Sequence, residues 1–203
     1  MGVPFLDQGP MRAEQFFAFL ETRPDEEKWE LIDGEPILNA APSYPHQMIV
    51  FNLIMLLGEQ ARRSRGGWGV LPGLGVRLSD VSVPVPDVLI RPDKPIEGVE
   101  CDDIIVAFEV LSPSTAKRDL RWKRTAYASL PSLRQYVVVA QDAVDVLSLE
   151  REPGMEAFRE RRLTRLDETL DLPAISARAG LREIYRDLGF AGRGPGPQSR
   201  QES

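Results

Sequence analysis

The chain has little of what several functions require. A single cysteine, Cys101, excludes an internal disulfide framework, and a single histidine, His46, leaves no Cys/His set for a structural zinc. With one histidine and no nucleophile-elbow glycines, no Ser-His-Asp arrangement can be defended. No stretch approaches the roughly 18 consecutive apolar residues of a membrane span. The opening MGVPFLDQGPMRAE lacks a basic segment followed by an apolar core, so neither export nor insertion is indicated and a reducing cytoplasm is expected. Cations are in the minority, 25 Lys and Arg against 31 Asp and Glu, for a net charge of -6. That balance argues against coating nucleic acid through general electrostatics, so any such contact must be local. GGWGVLPGLG is glycine-rich but has neither phosphate-loop nor dinucleotide spacing, and it reads as loop and strand-turn material.

What is present fits one domain of ordinary size, expected over residues 1–190, followed by AGRGPGPQSRQES at 191–203, which has the composition of a disordered tail. MRAEQFFAFLET has helical spacing at Phe16, Phe17 and Leu20, and Pro24 closes it. In WELIDGEPIL, Asp33-Gly34 is the two-residue signal of a type I′ hairpin, with Trp29–Ile32 and Glu35–Leu38 as arms. Ser43 can cap a helix through HQMIVFNLIMLLGEQARR that stops at Gly66-Gly67, and its apolar content around most of its circumference predicts a buried helix.

WGVLPGLGVRLSD, VPVPDVLIRPD and DIIVAFEVL read as three strands. A helix follows from Ala116 to Leu130, with Ser114 or Thr115 available to cap it and helix-end amides suited to an anion at the mouth of a site. LRQYVVVA and AVDVLSLE form a strand pair, FRERRLTRL one more strand, and ISARAGLREIYRDLG a short C-terminal helix. The pattern predicts an α/β or α+β fold, a mixed sheet with helices on its faces.

Two carboxylates break apolar runs. Glu109 stands near the end of IIVAFEVL, and Asp87 sits at the mouth of the strand VLI, 22 positions earlier. An unpaired buried carboxylate costs several kcal/mol or takes up a proton, so such a residue implies a partner, a metal or a solvent-filled cleft. If the two strands are neighbours, the carboxylates form a hard-oxygen site suited to Mg²⁺ or Mn²⁺ rather than zinc.

The helix after Glu109 supplies a third anomaly. At roughly 100° per residue, Lys123 falls in the middle of the apolar stripe formed by Ala116, Leu120, Ala126, Tyr127 and Leu130. Lys117, Arg118, Arg121 and Arg124 lie about 100° or more away, a patch fit for a phosphate backbone or simply for solvent. Asp119, four residues before Lys123, is one available partner for it; the carboxylate pair across the cleft is the other.

A Pro-Asp, a strand ending in Glu and a nearby Lys resemble the PD-(D/E)XK nuclease superfamily, although the usual lysine position, two after the acid, is Leu111 here. ELIDGE, His46 ahead of an apolar helix, PDVLI, EVLSPST, and Asp119, Lys123 and Tyr127 at four-residue steps resemble the Uma-two family of restriction-endonuclease-like proteins. In that family the lysine stands on the following helix, at the position of Lys123.

The resemblance implies a restriction-endonuclease-like fold and a DNA endonuclease in which Asp87 and Glu109, with a backbone carbonyl near Val110 or Leu111, hold Mg²⁺ or Mn²⁺. Lys123 would position or help deprotonate water, with Asp119 and Tyr127 supporting it. It also implies a homodimer. His46 is then a candidate contact to a scissile phosphate or a site carboxylate, and Glu30 either a further site acid or a solvent-facing hairpin residue. Gln135 and Ala140 depart from the family pattern, which tends to have Glu-Tyr-Trp and an Asp near that strand's end. A catalytically silent module that binds DNA or a protein is the alternative; a carbohydrate-cleaving carboxylate pair would leave the inward lysine without a role.

Overall fold

The computed structural model describes residues 9–64, 67–111, 116–152, 154–155 and 157–190, with the side chains of 64 and 116–120 left aside. The tail at 191–203 and the capping segment at 112–115 lie outside the described residues, as do the side chains of Lys117, Arg118 and Asp119. Among the described residues no helix is long and apolar enough to cross a membrane.

Helix α1 (Ala13–Leu20) precedes a hairpin of β1 (Trp29–Ile32) and β2 (Glu35–Leu38), paired antiparallel with Ile32 opposite Glu35. Both turn residues have positive φ, 49° at Asp33 and 83° at Gly34, as a type I′ turn requires. Gly34 is needed twice over, because a Cβ there would stand 2.3 Å from the Pro10 Cβ. Helix α2 (Tyr44–Ser64) follows, and Ser43 Oγ accepts the His46 N–H at 3.3 Å as its cap.

Strand β3 (Trp68–Leu71) ends at Pro72-Gly73, and the two-residue β4 (Gly75–Val76) pairs elsewhere, in parallel with β6 (Glu100–Cys101). The stretch from Trp68 to Asp80, read as one strand punctuated by glycine and proline, is thus two strands in two sheets, divided where the proline and a left-handed Gly73 turn the chain.

The main sheet comprises β3, β5 (Val88–Pro92), β7 (Val106–Leu111), β8 (Gln135–Ala140), β9 (Val146–Glu150) and β10 (Arg159–Leu163), in the order β10-β9-β8-β7-β5-β3. Only β7 and β8 run parallel, because helix α3 (Ala116–Ala128) carries the chain back between them as a crossover. Strand β7 is buried at every position, and its alternation assigns each side chain a face. Val106, Phe108 and Val110 meet α2, with Ile49, Leu53 and Leu57 at four-residue steps. Ala107 and Leu111 meet Tyr127 and Leu130 at the α3 side. Burying each of the Val, Leu, Ile and Phe side chains among them contributes about 1.5–3 kcal/mol. Period two puts Glu109 on the α3 face, in line with Ala107 and Leu111.

Two expectations are corrected. Helix α2 is buried along one stripe only; Phe51 and Met55 are more than half exposed, because the sheet and the C-terminal segment cover a single side of it. The segment from Ile175 to Gly189 is not one helix. Strand β12 (Ala177–Gly180) pairs with β11 (Thr169–Leu172), and of this segment only Leu181–Ile184, α4, is α-helical. Ala177 and Ala179 are buried and Arg178 is exposed, a period of two that pairing with β11 and burial impose on residues of good helix propensity.

Candidate active site

Strands β5 and β7 are antiparallel neighbours with Val88 opposite Phe108, so the start of β5 meets the end of β7. Asp87 and Glu109 therefore arrive at one place. The Asp87 N–H donates to the Phe108 carbonyl at 3.1 Å, and the Val110 N–H donates to Asp87 Oδ2 at 2.8 Å. Two further elements close on this corner. Glu30 reaches it from β1 and Lys28 from the residue just before that strand, and His46 enters from the first turn of α2. The result is a cleft of about 470 Å³ lined by Lys28, Glu30, His46, Asp87, Glu109 and Lys123 among others.

Lys123 is buried in the cleft wall. Its Nζ donates to Glu109 Oε1 at 2.9 Å and to Glu30 Oε1 at 3.0 Å, and Glu30 Oε1 also accepts the Val85 N–H at 2.7 Å. Tyr127, one helical turn after Lys123, donates its hydroxyl to Glu109 Oε1 at 3.4 Å. None of these bonds uses Glu109 Oε2. Glu30, only 5% exposed, is therefore a member of the buried cluster and not a solvent-facing hairpin residue. The other acid, Asp87, is held through Oδ1 by Lys28 Nζ at 2.9 Å and His46 Nε2 at 3.3 Å.

The charges are unevenly matched. Burial, reinforced by the negative charges of Asp87 and Glu30 and only partly opposed by Lys123, pushes the Glu109 carboxyl up to about 7. Burial also pushes Asp87 upward, yet the His46 hydrogen bond, the Lys28 charge and the Val110 N–H outweigh it and hold that carboxyl well below the usual range. For Lys123 the burial that would release its proton is overcome by Glu109 and Glu30, so it stays an ammonium. Tyr127 is driven far above its ordinary value, first by burial and then by Glu109, and acts as a neutral donor.

Five candidates read from the sequence, Asp87, Glu109, Lys123, Glu30 and His46, thus share one cleft, and Tyr127 abuts it. Arg121 and Arg124 are exposed on α3 and do not line the cleft; Arg124 pairs with Glu160 of β10 at 3.0 Å. Lys28 was not anticipated; it precedes β1, and only the approach of Asp87 sets it apart. Nor was the second role of Asp33, whose Oδ2 accepts the Trp122 Nε1–H at 2.7 Å and ties the hairpin turn to α3. The departing Gln135 lies elsewhere, with its Nε2 donating to Ser148 Oγ and the Asp171 carbonyl.

Among the described residues no three His, Cys, Asp or Glu side chains converge as a ready-made ligand cluster. The donor chemistry still fits a hard divalent cation that keeps several waters and takes one or two carboxylates. Asp87 and Glu109 line the same cleft beside the main chain of Val110 and Leu111, where a cation would meet two carboxylates and main-chain carbonyls.

The family model Uma2, described as "Putative restriction endonuclease", matches residues 13–181. Among solved structures the chain is similar to a protein from Anabaena variabilis ATCC 29413 described as a "putative nuclease belonging to DUF820". The two share 15% sequence identity at a TM-score of 0.69, over 87% of this chain and 98% of that one, a likeness of fold alone. No curated protein matches the chain.

Proposed function

We propose, since this chain belongs to the Uma2 family, that it is a metal-dependent endonuclease that hydrolyses DNA phosphodiester bonds in the cleft between β1, α2 and the β5–β7 corner. One observation carries the reading: a buried ammonium, Lys123, bridges Glu109 and Glu30 beside Asp87, at the open end of a sheet whose family is described as a restriction endonuclease.

A divalent ion held by Asp87 and Glu109, with a carbonyl near Val110 or Leu111, would supply acidification of a water and neutralisation of phosphoryl charge. Everything else falls to the chain. Lys123 keeps its proton, which suits it to orient the attacking water by hydrogen bonding and to stabilise developing charge rather than to remove a proton itself. Glu30 holds the lysine as a second carboxylate beside Glu109 and is itself anchored by the Val85 N–H. Tyr127 fixes the Glu109 rotamer. His46 orients Asp87 and stands at the amino end of α2, where backbone N–H groups favour a phosphate. Arg121 and Arg124 supply charge on the outer face of α3 for the flanking backbone. Cutting both strands calls for a homodimer, which sedimentation velocity tests directly.

A second reading, a silent module that binds DNA or a partner protein, draws support from the occupation of Asp87 Oδ1 by Lys28 and His46. Cleavage of plasmid and oligonucleotide DNA with Mg²⁺ or Mn²⁺, comparing wild type with Asp87→Ala and Lys123→Ala, separates the two. The enzyme reading expects metal-dependent cutting that both variants lose. No cutting by wild type with either metal, or full cutting by Lys123→Ala, overturns it.

A further inference from the structure

The cleft holds two lysines in different circumstances. Lys123 is confined, its side chain 10% exposed and fixed by two carboxylates. Lys28 makes one ion pair, to Asp87 Oδ1 at 2.9 Å, from a side chain that is 40% exposed. It precedes β1, and its four-carbon stem reaches the mouth of the cleft from outside. Asp87 Oδ2 is engaged by the Val110 N–H in the sheet, so Oδ1 is the oxygen turned to the cations of the cleft.

We propose that Lys28 is an exchangeable counter-ion of Asp87: it occupies Oδ1 while no divalent cation is bound, yields that oxygen when one arrives, and then binds a phosphate of the nucleic-acid backbone at the cleft mouth. The inference rests on the endonuclease reading and deepens it by assigning a substrate contact to a residue outside the acidic cluster. The physical basis is competition. An ammonium and a divalent cation cannot both take the same face of one carboxylate oxygen without strong repulsion. Of the two groups on Oδ1, Lys28 and His46, the one able to leave is the one with the freer side chain, and the flexible lysine, 40% exposed against 18% for the imidazole, meets that condition. The released ammonium stays within the length of its stem of Asp87, in the cleft that the segment from Asn39 to Ser43 also lines. A backbone phosphate entering there would meet it.

Calorimetric titration of the full chain with Mn²⁺ alone tests the first half, with wild type, Lys28→Met and Lys28→Arg compared at one pH. Removing a competing, partly exposed ion pair is expected to tighten Mn²⁺ binding about fivefold in Lys28→Met, with Lys28→Arg returning toward wild type. Unchanged or weaker binding by Lys28→Met, with wild type binding normally, overturns the proposal and leaves the endonuclease reading intact. No Mn²⁺ binding by any of the three removes the metal reading itself and this inference with it.

Binding of a duplex oligonucleotide in Ca²⁺ across a salt series tests the second half. Loss of one phosphate contact lowers the slope of log K against log salt by about 0.9 in Lys28→Met. An unaltered slope refutes the phosphate contact, and a lysine that served only to brace the fold would move neither readout in these directions.

Discussion

Replacing Lys123 by Met removes the single cation between Glu109 and Glu30 while keeping the side chain's length. At an effective dielectric near 20, each of its two contacts, 2.9 and 3.0 Å long, is worth about 5–6 kcal/mol before desolvation is counted. Breaking a buried pair costs about 3–5 kcal/mol net, because a charge is left without compensation. The chain has one way to limit the loss, which is to put a proton where the lysine was. The Glu109 carboxyl already titrates near 7 with Lys123 present, so without it the folded-state value moves higher still.

A raised folded-state pKa adds stability that is fully present below the unfolded value and lost as pH rises through the folded one. Between pH 7 and 8 the variant therefore loses stability by about 1.4 kcal/mol per unit, while the wild type, with Glu109 half ionised at pH 7, loses only about 0.4 kcal/mol. Urea denaturation at pH 7 and pH 8 is the assay. The deficit of Lys123→Met should be about 3 kcal/mol or more at pH 8 and smaller by about 1 kcal/mol at pH 7. A deficit below about 1 kcal/mol, or one identical at the two pH values, would refute the picture of a lysine neutralising two buried carboxylates.

Three further outcomes follow from the same contacts. Glu109→Gln should flatten the wild-type loss of stability, on the order of 3 kcal/mol, between pH 4.5 and 7; a slope that survives the substitution assigns it to another group. Gly34→Ala should cost about 1–3 kcal/mol in urea denaturation, since φ is +83° and the new Cβ would strike Pro10; a neutral substitution would mean that the turn is free to rearrange. Arg151, buried behind α3, donates to the carbonyls of Ala128, Leu130 and Leu133. Arg151→Met should lower stability by about 3 kcal/mol and reduce cleavage by loosening the helix that carries Lys123; retention of full stability would show that water satisfies those carbonyls.

Much of the site was legible because charged residues in apolar patterns have few explanations. Glu109 interrupts a run whose neighbours are all buried, and the helical wheel alone turned Lys123 inward. The Asp33-Gly34 turn likewise specified its hairpin without help from the rest of the chain. What escaped has a common physical character. Lys28 is ordinary in composition and gains its meaning only when β5 brings Asp87 beside it. The strand β12 has alanines that favour a helix in isolation, and its pairing with β11 is decided by burial against α2 and α4. Arg151 is anonymous in sequence because its partners are main-chain carbonyls, which every residue possesses.

The position of α3 over β7 also bears on how such sites diversify. Glu109 and Leu111 share the face that α3 covers, so the ammonium beside Glu109 can be supplied from the strand two residues on or from the helix above it, as here. The spacing of a motif along a chain is then only one projection of a constellation in space. A lineage can shift a functional group to another element while leaving the geometry around its carboxylate in place. A search for proteins of this kind is therefore better framed around distances to the carboxylate than around intervals in the sequence.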